Sequence, residues 1–260
     1  MLECVINVSE GRNKAILDAL AQSCAGDLLD IHSDPDHNRS VFTLIGVDAP
    51  RALTRAAVAT LNINDHAGVH PRMGIVDVVP FVPLVDSTMH DAHVARNEFV
   101  TWAATELEIP CFLYGTERTL PDVRKTAWTS LMPDAGPLVP HSTAGAMCVG
   151  VREPLVAYNL WLKDVDLVTT RGIASSVRTA EVRSLGLQTG AFTQVSVNLI
   201  QPMNTGPDDV YDAVSQYAAV HHAELVGLLP ASVLATIPRA RWEDLDLSVE
   251  QTIEWRLTNR

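Results

Sequence analysis

The chain has 260 residues, 47% hydrophobic and 19% charged, with a formal net charge of −12. This composition excludes a disordered protein. The acidic balance argues against nucleic acid or an anionic membrane as a partner, because phosphate groups need a basic face. No run approaches the roughly 18 apolar residues of a membrane span, and no signal peptide is recognisable. The four cysteines are far apart, so we expect reduced thiols and a soluble cytoplasmic protein.

The first half of the chain alternates apolar strand patterns with helical periodicity. Its apolar runs predict strands at 2–8, 28–32, 41–47, 75–82 and 111–114. Its periodic segments predict helices that include 17–24, 53–61 and 88–107. Thr88 followed by Asp91 is a capping-box pattern that marks the start of the last of these helices. The stretch 115–145 is rich in Pro, Gly, Thr and Asp, and its length predicts a functional loop.

The second half restarts this pattern after a boundary near Val151. Its apolar runs predict strands at 155–162, 182–188, 193–200 and 225–229. Its helical patterns predict helices at 164–173, from Pro207 to His221, and after a cap formed by Ser248 and Gln251. Both halves therefore read β-α-β-β-α-β, the order of ferredoxin-like layers. We predict an α/β (α+β) protein with domains at 1–151 and 152–260, each a sandwich of a sheet covered by helices.

Polar segments interrupt the apolar pattern of the first half at 7–13, 34–40 and 65–74. The last of them, DHAGVHPRMG, contains His70, which we single out as the catalytic candidate. Pro71 restricts the backbone of His70 to an extended conformation. A neutral imidazole suits a general base, and its conjugate acid suits protonation of a leaving amine. The alternative is that His70 only ties the loop together through hydrogen bonds.

Charged residues of the same segments are candidates for ligand binding. Arg39 or Arg72 could bind a carboxylate through two parallel hydrogen bonds, or either could form a salt bridge with a nearby aspartate. Glu10 could accept a hydrogen bond from a bound amine, or it could cap the helix that follows.

Other site classes find little support in the sequence. The H-x3-H spacing of His66 and His70 suggests a metal site, but Gly68 and Pro71 argue against the helix that such zinc motifs require. We therefore expect no metal. The chain has no G-x-G-x-x-G after a strand, no Walker lysine and no G-x-S-x-G elbow.

Six segments across nearly the whole chain resemble the glutamate formiminotransferase family. They are ECVINVSEGRN, HNRSVFTLIG, HPRMGIVDVVPFVP, GPLVPHSTAGAMCVG, TQVSVNLI and ELVGLLP. The resemblance implies N- and C-terminal formiminotransferase subdomains flanking a cleft, in a cytoplasmic homodimer. It also implies transfer of a formimino group from N-formimidoyl-L-glutamate to N5 of tetrahydrofolate, a step of one-carbon metabolism in histidine degradation.

The resemblance further implies which residues carry this activity. His70, in the H-P-R-M-G segment (70–74), is expected to be the catalytic proton relay. The expected substrate-binding residues are Arg39, Arg72, Glu10, Asn38 and Gly74. The 136–145 segment is expected to bind folate through Gly136, Pro137, His141, Ser142, Thr143 and Gly145. Tetrahydrofolate would be a co-substrate, and the partners would be small molecules, with no metal, nucleic acid or membrane.

The chain departs from the family pattern at three places. Val69 replaces the glutamate of the usual H-x-G-E-H, His32 occupies a position that is acidic in some members, and the loop after Gly115 is short. Two alternatives therefore stay open: a related transferase with another donor or pterin, and a non-catalytic homologue that binds folate or another metabolite.

Overall fold

The computed structural model describes residues 1–260 as a mixed α/β protein with two sheets, as predicted. The chain divides into two compact units, Met1–Glu153 and Pro154–Arg260. No helix combines the length and the apolar character needed to cross a membrane. The assignment of the two units to subdomains that meet at residue 151 remains a prediction.

The first unit contains six strands and four helices. The strands are β1 (Leu2–Val8), β2 (Leu28–Asp34), β3 (Arg39–Ile45), β4 (Val76–Pro83), β5 (Cys111–Tyr114) and β6 (Met147–Val151). The helices are α1 (Lys14–Ser23), α2 (Asp48–Thr60), α3 (Met89–Glu106) and α4 (Leu120–Thr126). A 3₁₀ turn at Ile63–Asp65 precedes the H-P-R-M-G segment.

The sheet of the first unit has the strand order β2-β3-β1-β4-β6-β5. Its first four strands are antiparallel neighbours in the ferredoxin-like order, and β6 then joins β4 and β5 in parallel. Alternate residues of β1, such as Cys4 and Ile6, are buried in a core with Leu20, Leu53 and Phe99 from α1, α2 and α3. The period of two along β1 thus gives the helices one apolar face to cover.

Two elements of the first unit differ from the prediction. The stretch 115–145 contains α4, which a capping box between Thr119 and Asp122 starts. The unit closes with β6 and not with β5. The run Met147–Val151 is short and wholly buried, so it has no polar alternation that could reveal a strand. The capping box that we predicted between Thr88 and Asp91 is confirmed.

The second unit has the order β10-β7-β9-β8, and all its neighbours are antiparallel. Its strands are β7 (Val156–Leu162), β8 (Val182–Thr189), β9 (Phe192–Leu199) and β10 (Val220–Val226). Its helices are α5 (Leu167–Ser176), α6 (Pro207–Ser215), α7 (Ala231–Thr236) and α8 (Ile253–Thr258). This is the same ferredoxin-like order as in the first unit, as the β-α-β-β-α-β pattern predicts.

The last predicted elements of the second unit are misplaced. Helix α6 ends at Ser215, and β10 begins at Val220, so His221 lies on a strand and not near the end of a helix. A break of register after Val220 marks a β-bulge there, which local periodicity does not reveal. The last helix, α8, is capped by Thr252 and not by Ser248.

Candidate active site

His70 lies in the loop that leads into β4, and both of its ring nitrogens have partners. Nδ1 is 2.8 Å from the carbonyl oxygen of Pro71, and Nε2 is 2.7 Å from Nη1 of Arg39. A carbonyl only accepts and a guanidinium only donates. These contacts therefore place the proton on Nδ1 and leave the lone pair of Nε2 facing Arg39.

Burial and positive charge hold His70 neutral. Desolvation is the largest cause that lowers the pKa of its imidazole, followed by Arg39 at the start of β3, Arg124 on α4, and His37. The ring of His37 lies 5.6 Å from that of His70, centroid to centroid. The pKa of His70 thus lies far below its ordinary value near 6.5. At physiological pH the ring is a neutral base in a cationic environment.

A buried ion pair fixes the strand end of the H-P-R-M-G segment. Asp77 on β4 is 2% exposed. Its Oδ1 accepts a hydrogen bond from the backbone N–H of Met73 at 2.6 Å, and its Oδ2 accepts one from Nη2 of Arg124 at 2.5 Å. A buried carboxylate needs such partners. Asp77 therefore connects α4, β4 and the H-P-R-M-G segment.

Arg72 is held by the carbonyl groups of its own loop. Its Nη1 donates to the carbonyl oxygen of His70 at 2.9 Å and to that of Gly68 at 3.2 Å. Burial lowers the pKa of its guanidinium. The side chain thereby folds the loop around His70. The hydrogen bonds of Arg72 include no aspartate or glutamate, and the carboxylate-binding role predicted for Arg72 stays a prediction.

Asn38 joins the three polar segments. It has a positive φ of 48°. Its Oδ1 accepts from the N–H of Gly11 at 2.9 Å, its Nδ2 donates to the carbonyl of Ala67 at 3.1 Å, and its own carbonyl is 2.7 Å from Nε2 of His66. The substrate-binding role predicted for Asn38 remains a prediction. The structure shows its side chain engaged with backbone groups.

Glu10 lies at the N-terminal end of α1. Its Oε1 accepts hydrogen bonds from the backbone N–H groups of Arg12 and Asn13, at 2.6 and 2.8 Å. Both residues precede α1, whose N-cap is Asn13, with a side chain that accepts from the N–H of Ile16. Glu10 therefore holds the turn ahead of the helix, so the capping alternative is wrong, and the binding role predicted for Glu10 stays a prediction.

Part of the 136–145 segment packs directly on the H-P-R-M-G segment. His141 and Gly145 exchange two backbone hydrogen bonds, of 2.8 and 2.9 Å, in a tight turn. A Cβ atom on Gly145 would lie 2.3 Å from the carbonyl oxygen of Met73, and one on Gly74 would lie 2.3 Å from that of Ala146. Only glycines permit this approach of the two backbones.

Other members of the segment lie on either side of this contact. The carbonyl of Thr143 accepts from the N–H of Ile63 at 2.7 Å, and the carbonyl of Ser142 accepts from the side chain of Asn64 at 2.8 Å. Gly136, with φ of +86°, lies instead beside Ile109, ahead of β5, and Pro137 follows it, partly buried. In the structure His141–Gly145 therefore lie against the loop that contains His70, whereas Gly136 lies away from this loop.

A pocket of about 420 Å³ opens beside His70. Its lining is Ile63, His66, Gly68, Val69, His70, Pro71 and Arg72. The Nε2 atom of His66 lies on the carbonyl of Asn38, whereas its buried Nδ1 has no hydrogen-bond partner. Burial lowers the pKa of His66, so the ring is neutral, donates through Nε2 and keeps the lone pair on Nδ1.

The comparisons with known proteins decide the family. Residues 1–152 match the family described as "Formiminotransferase domain, N-terminal subdomain". The chain belongs to the formiminotransferase family. It is 33% identical over 273 residues to a glutamate formimidoyltransferase from Streptococcus pyogenes, with 91% of each chain covered. A glutamate formimidoyltransferase from Thermoplasma acidophilum is 32% identical over 92% of this chain and 91% of its own.

A longer relative is matched over about half of its own length. The formimidoyltransferase-cyclodeaminase of Rattus norvegicus is 30% identical over 90% of this chain, which corresponds to 51% of that protein. The predicted resemblance is therefore confirmed at the level of the family.

Sequence reasoning missed Asp77 and Arg124 in the site of this formiminotransferase-family protein. Asp77 is the one charged residue in the β-branched run at 75–82, and a buried charge in such a run demands a cationic partner. That signal was available, but it did not identify the partner. Arg124 lies on α4, in a stretch that we predicted to be a loop.

Groups of three or more His, Cys, Asp or Glu side chains that could hold a metal ion do not occur in the structure. Whether the protein needs a metal for activity remains a separate prediction, which we test below.

Proposed function

We propose that this protein transfers the formimino group of N-formimidoyl-L-glutamate to N5 of tetrahydrofolate, which acts as co-substrate. Membership of the formiminotransferase family and the names of its relatives support the reaction. The observation that carries the proposal is the close packing of His141–Gly145 on the H-P-R-M-G segment. The segment proposed to bind folate thus lies against the loop of the proposed base.

The reaction needs one group that can hold a proton for a short time. N5 of tetrahydrofolate attacks the amidine carbon of the donor, a bond forms between them, and N5 loses its proton. The bond from that carbon to the glutamate nitrogen then breaks, and this nitrogen gains a proton. A neutral His70 can accept the first proton and deliver the second, which yields 5-formimidoyltetrahydrofolate and L-glutamate.

The donor carries two carboxylates, for which the site offers cations. We assign Arg39 and Arg72 to these carboxylates, since a guanidinium binds a carboxylate through two charge-assisted hydrogen bonds. Glu10 and Asn38 accept hydrogen bonds from backbone N–H groups, and the carbonyl of Gly74 accepts one from the hydroxyl of Ser9. The proposed part of these three residues is to shape the substrate site through the loops that they join.

The proposed folate contacts come from the 136–145 segment. They are Gly136, Pro137, His141, Ser142, Thr143 and Gly145. The exposed Leu138 and Val139 of the same segment offer apolar surface that a pterin or benzoyl ring could cover.

The setting of the reaction is part of the proposal. Four free and buried cysteines fit a reducing compartment such as the cytoplasm. We expect a homodimer, a role in histidine degradation and no metal requirement. Sedimentation of the purified protein tests the dimer.

The direct experiment supplies tetrahydrofolate and N-formimidoyl-L-glutamate to the purified protein and measures both 5-formimidoyltetrahydrofolate and L-glutamate. The proposal expects the two products in equal amounts. Failure to form either product from this pair would overturn it.

One observation favours a second candidate function, a homologue that binds folate without catalysis. Val69 lines the pocket and is 50% exposed, at the place where the family motif has a glutamate. Calorimetric binding of folinic acid without turnover would favour this candidate, and Val69→Glu would then be the variant expected to gain activity.

A further inference from the structure

We propose that Arg39 masks the base nitrogen of His70 in the free protein, and that a carboxylate of the bound donor draws Arg39 away and unmasks it. This inference rests on the proposed function and deepens it. It makes Arg39 a positioning residue that couples recognition of the donor to the readiness of the base.

The masking follows from the hydrogen bonds of the ring. Nδ1 carries the proton and donates to the carbonyl of Pro71, and Nε2 receives Nη1 of Arg39 at 2.7 Å. A neutral imidazole has one lone pair in the ring plane that can take a proton. While Arg39 occupies it, His70 has no nitrogen that can accept a proton from N5 of tetrahydrofolate. The relay therefore requires this contact to open.

A carboxylate is the group that opens it most favourably. The hydrogen bonds of a guanidinium to an anionic carboxylate are about twice as strong as those to a neutral acceptor, and they form in parallel pairs. Arg39 lies at the first residue of β3 and is partly exposed, so its side chain can reach a ligand in solution. Arg72, by contrast, is bound to loop carbonyls and does not contact the ring of His70.

The exchange alters the charge that His70 experiences. In the free protein the groups that face the ring are Arg39 from β3, Arg124 from α4, His37 from the β2–β3 connection and the Pro71 carbonyl of its own loop. Arg124 stays paired with Asp77 on β4. Removal of Arg39 from the ring and arrival of a carboxylate both favour the protonated imidazole. The base would thus hold a proton only when the donor is present.

Histidine NMR can test the coupling without turnover. L-Glutamate is the probe, because it has both carboxylates of the proposed donor but no group to transfer. The protein is labelled at histidine Cε1 and Nε2, and His70→Gln identifies the His70 signals among those of the nine histidines. The test variant is Arg39→Met. The matched control is Arg12→Met, whose guanidinium contacts the carbonyl of Pro35 in the neighbouring segment.

We expect wild-type His70 to stay neutral and to resist titration down to pH 5, and saturating L-glutamate to raise its midpoint into the measured range above pH 5. In Arg39→Met the midpoint should already be raised without L-glutamate, and L-glutamate should not move it further. Arg12→Met should behave like wild type. The spread of the other histidine signals reports whether each variant is folded, and the wild-type titration decides the matter if Arg39→Met is not.

An unchanged His70 midpoint on addition of L-glutamate, or a midpoint in Arg39→Met equal to that of wild type, would overturn the inference. The inference and the proposed function fail differently. A glutamate-dependent midpoint without formimino transfer would leave the inference standing and remove the reaction. Formimino transfer with a His70 midpoint that L-glutamate does not move would support the reaction and remove the inference.

Discussion

Gly74 and Gly145 pair across an isolated antiparallel bridge, and this bridge joins the H-P-R-M-G segment to the 136–145 segment. A Cβ atom on Gly145 would lie 2.3 Å from the carbonyl oxygen of Met73, and Gly145 has a φ of +74°. Both the lack of space and the backbone conformation therefore exclude other residues. The two functional segments can meet only because both positions are glycine.

The first prediction concerns this bridge. Gly145→Ala should lower the free energy of unfolding by about 2 kcal/mol, since the methyl group both clashes with backbone and strains φ. It should also raise KM for tetrahydrofolate. Gly172→Ala is the control, because a Cβ there meets nothing within 4 Å. Urea unfolding of both variants tests this, and equal stabilities would contradict it.

The buried ion pair gives a second prediction. Asp77→Asn leaves the partly buried guanidinium of Arg124 without its carboxylate, and we expect a loss of about 3 kcal/mol. Glu106→Gln breaks the pair with Arg55, whose partners are 59% and 54% exposed, and should cost less than about 1 kcal/mol. Chemical denaturation measures both. A loss for Asp77→Asn no larger than that for Glu106→Gln would show that Asp77 does not hold the loop.

The third prediction is a dependence of stability on pH. The pKa of His70 is lowered in the folded protein, whereas the unfolded chain titrates near 6.5. Below pH 6.5 the unfolded chain therefore binds a proton at His70 that the folded protein does not bind. As the pH is lowered below 6.5, this group decreases the free energy of unfolding by up to about 1.4 kcal/mol per pH unit. Above pH 6.5 it contributes nothing.

In the variant His70→Gln, the free energy of unfolding should depend less steeply on pH below 6.5, because the contribution of His70 is absent. The pKa values of His66 and His222 are also lowered, and these two residues should contribute equally to the pH dependence of stability in wild type and in the variant. The measurement is the free energy of unfolding at pH 5, 6 and 7.5. Parallel curves for wild type and His70→Gln would contradict the neutral, buried state that we assign to His70.

A fourth prediction is that activity survives removal of metals. We expect the rate of formimino transfer to be unchanged after dialysis against EDTA, since the proton relay and the arginines supply the chemistry. Loss of activity that zinc restores would contradict this.

The sequence predicts the two β-α-β-β-α-β units because their apolar patterns are local. It also predicts that the polar segments carry the site, and these segments do meet at Asn38. It does not predict β6, whose run is uniformly buried, and it places β10 five residues too late, because the bulge at the start of that strand breaks the local pattern. Arg124 was missed because its approach to His70 depends on the packing of α4, a tertiary contact that no local spacing encodes. The partner of His70, Arg39, was named as a cation but not as a contact of the ring.

The central claim is that His70 relays the proton between N5 of tetrahydrofolate and the departing glutamate nitrogen. The variant His70→Ala should fold and should bind folinic acid. General acid–base catalysis contributes about 10²–10⁴ to the rate, so kcat should fall by this factor. KM should change much less, because the relay acts in the transition state. His66→Ala, from the same loop, is the control and should have a smaller effect.

The most direct measurement is the pH dependence of kcat for wild type and His70→Ala with both substrates saturating, because kcat reports the donor-bound enzyme in which Arg39 has left the ring of His70. We predict that wild type shows a limb in the histidine range and that the variant has lost this limb together with most of its rate. A folded His70→Ala protein with nearly normal kcat and the same pH profile would contradict the relay and leave His70 as a residue that only ties its loop.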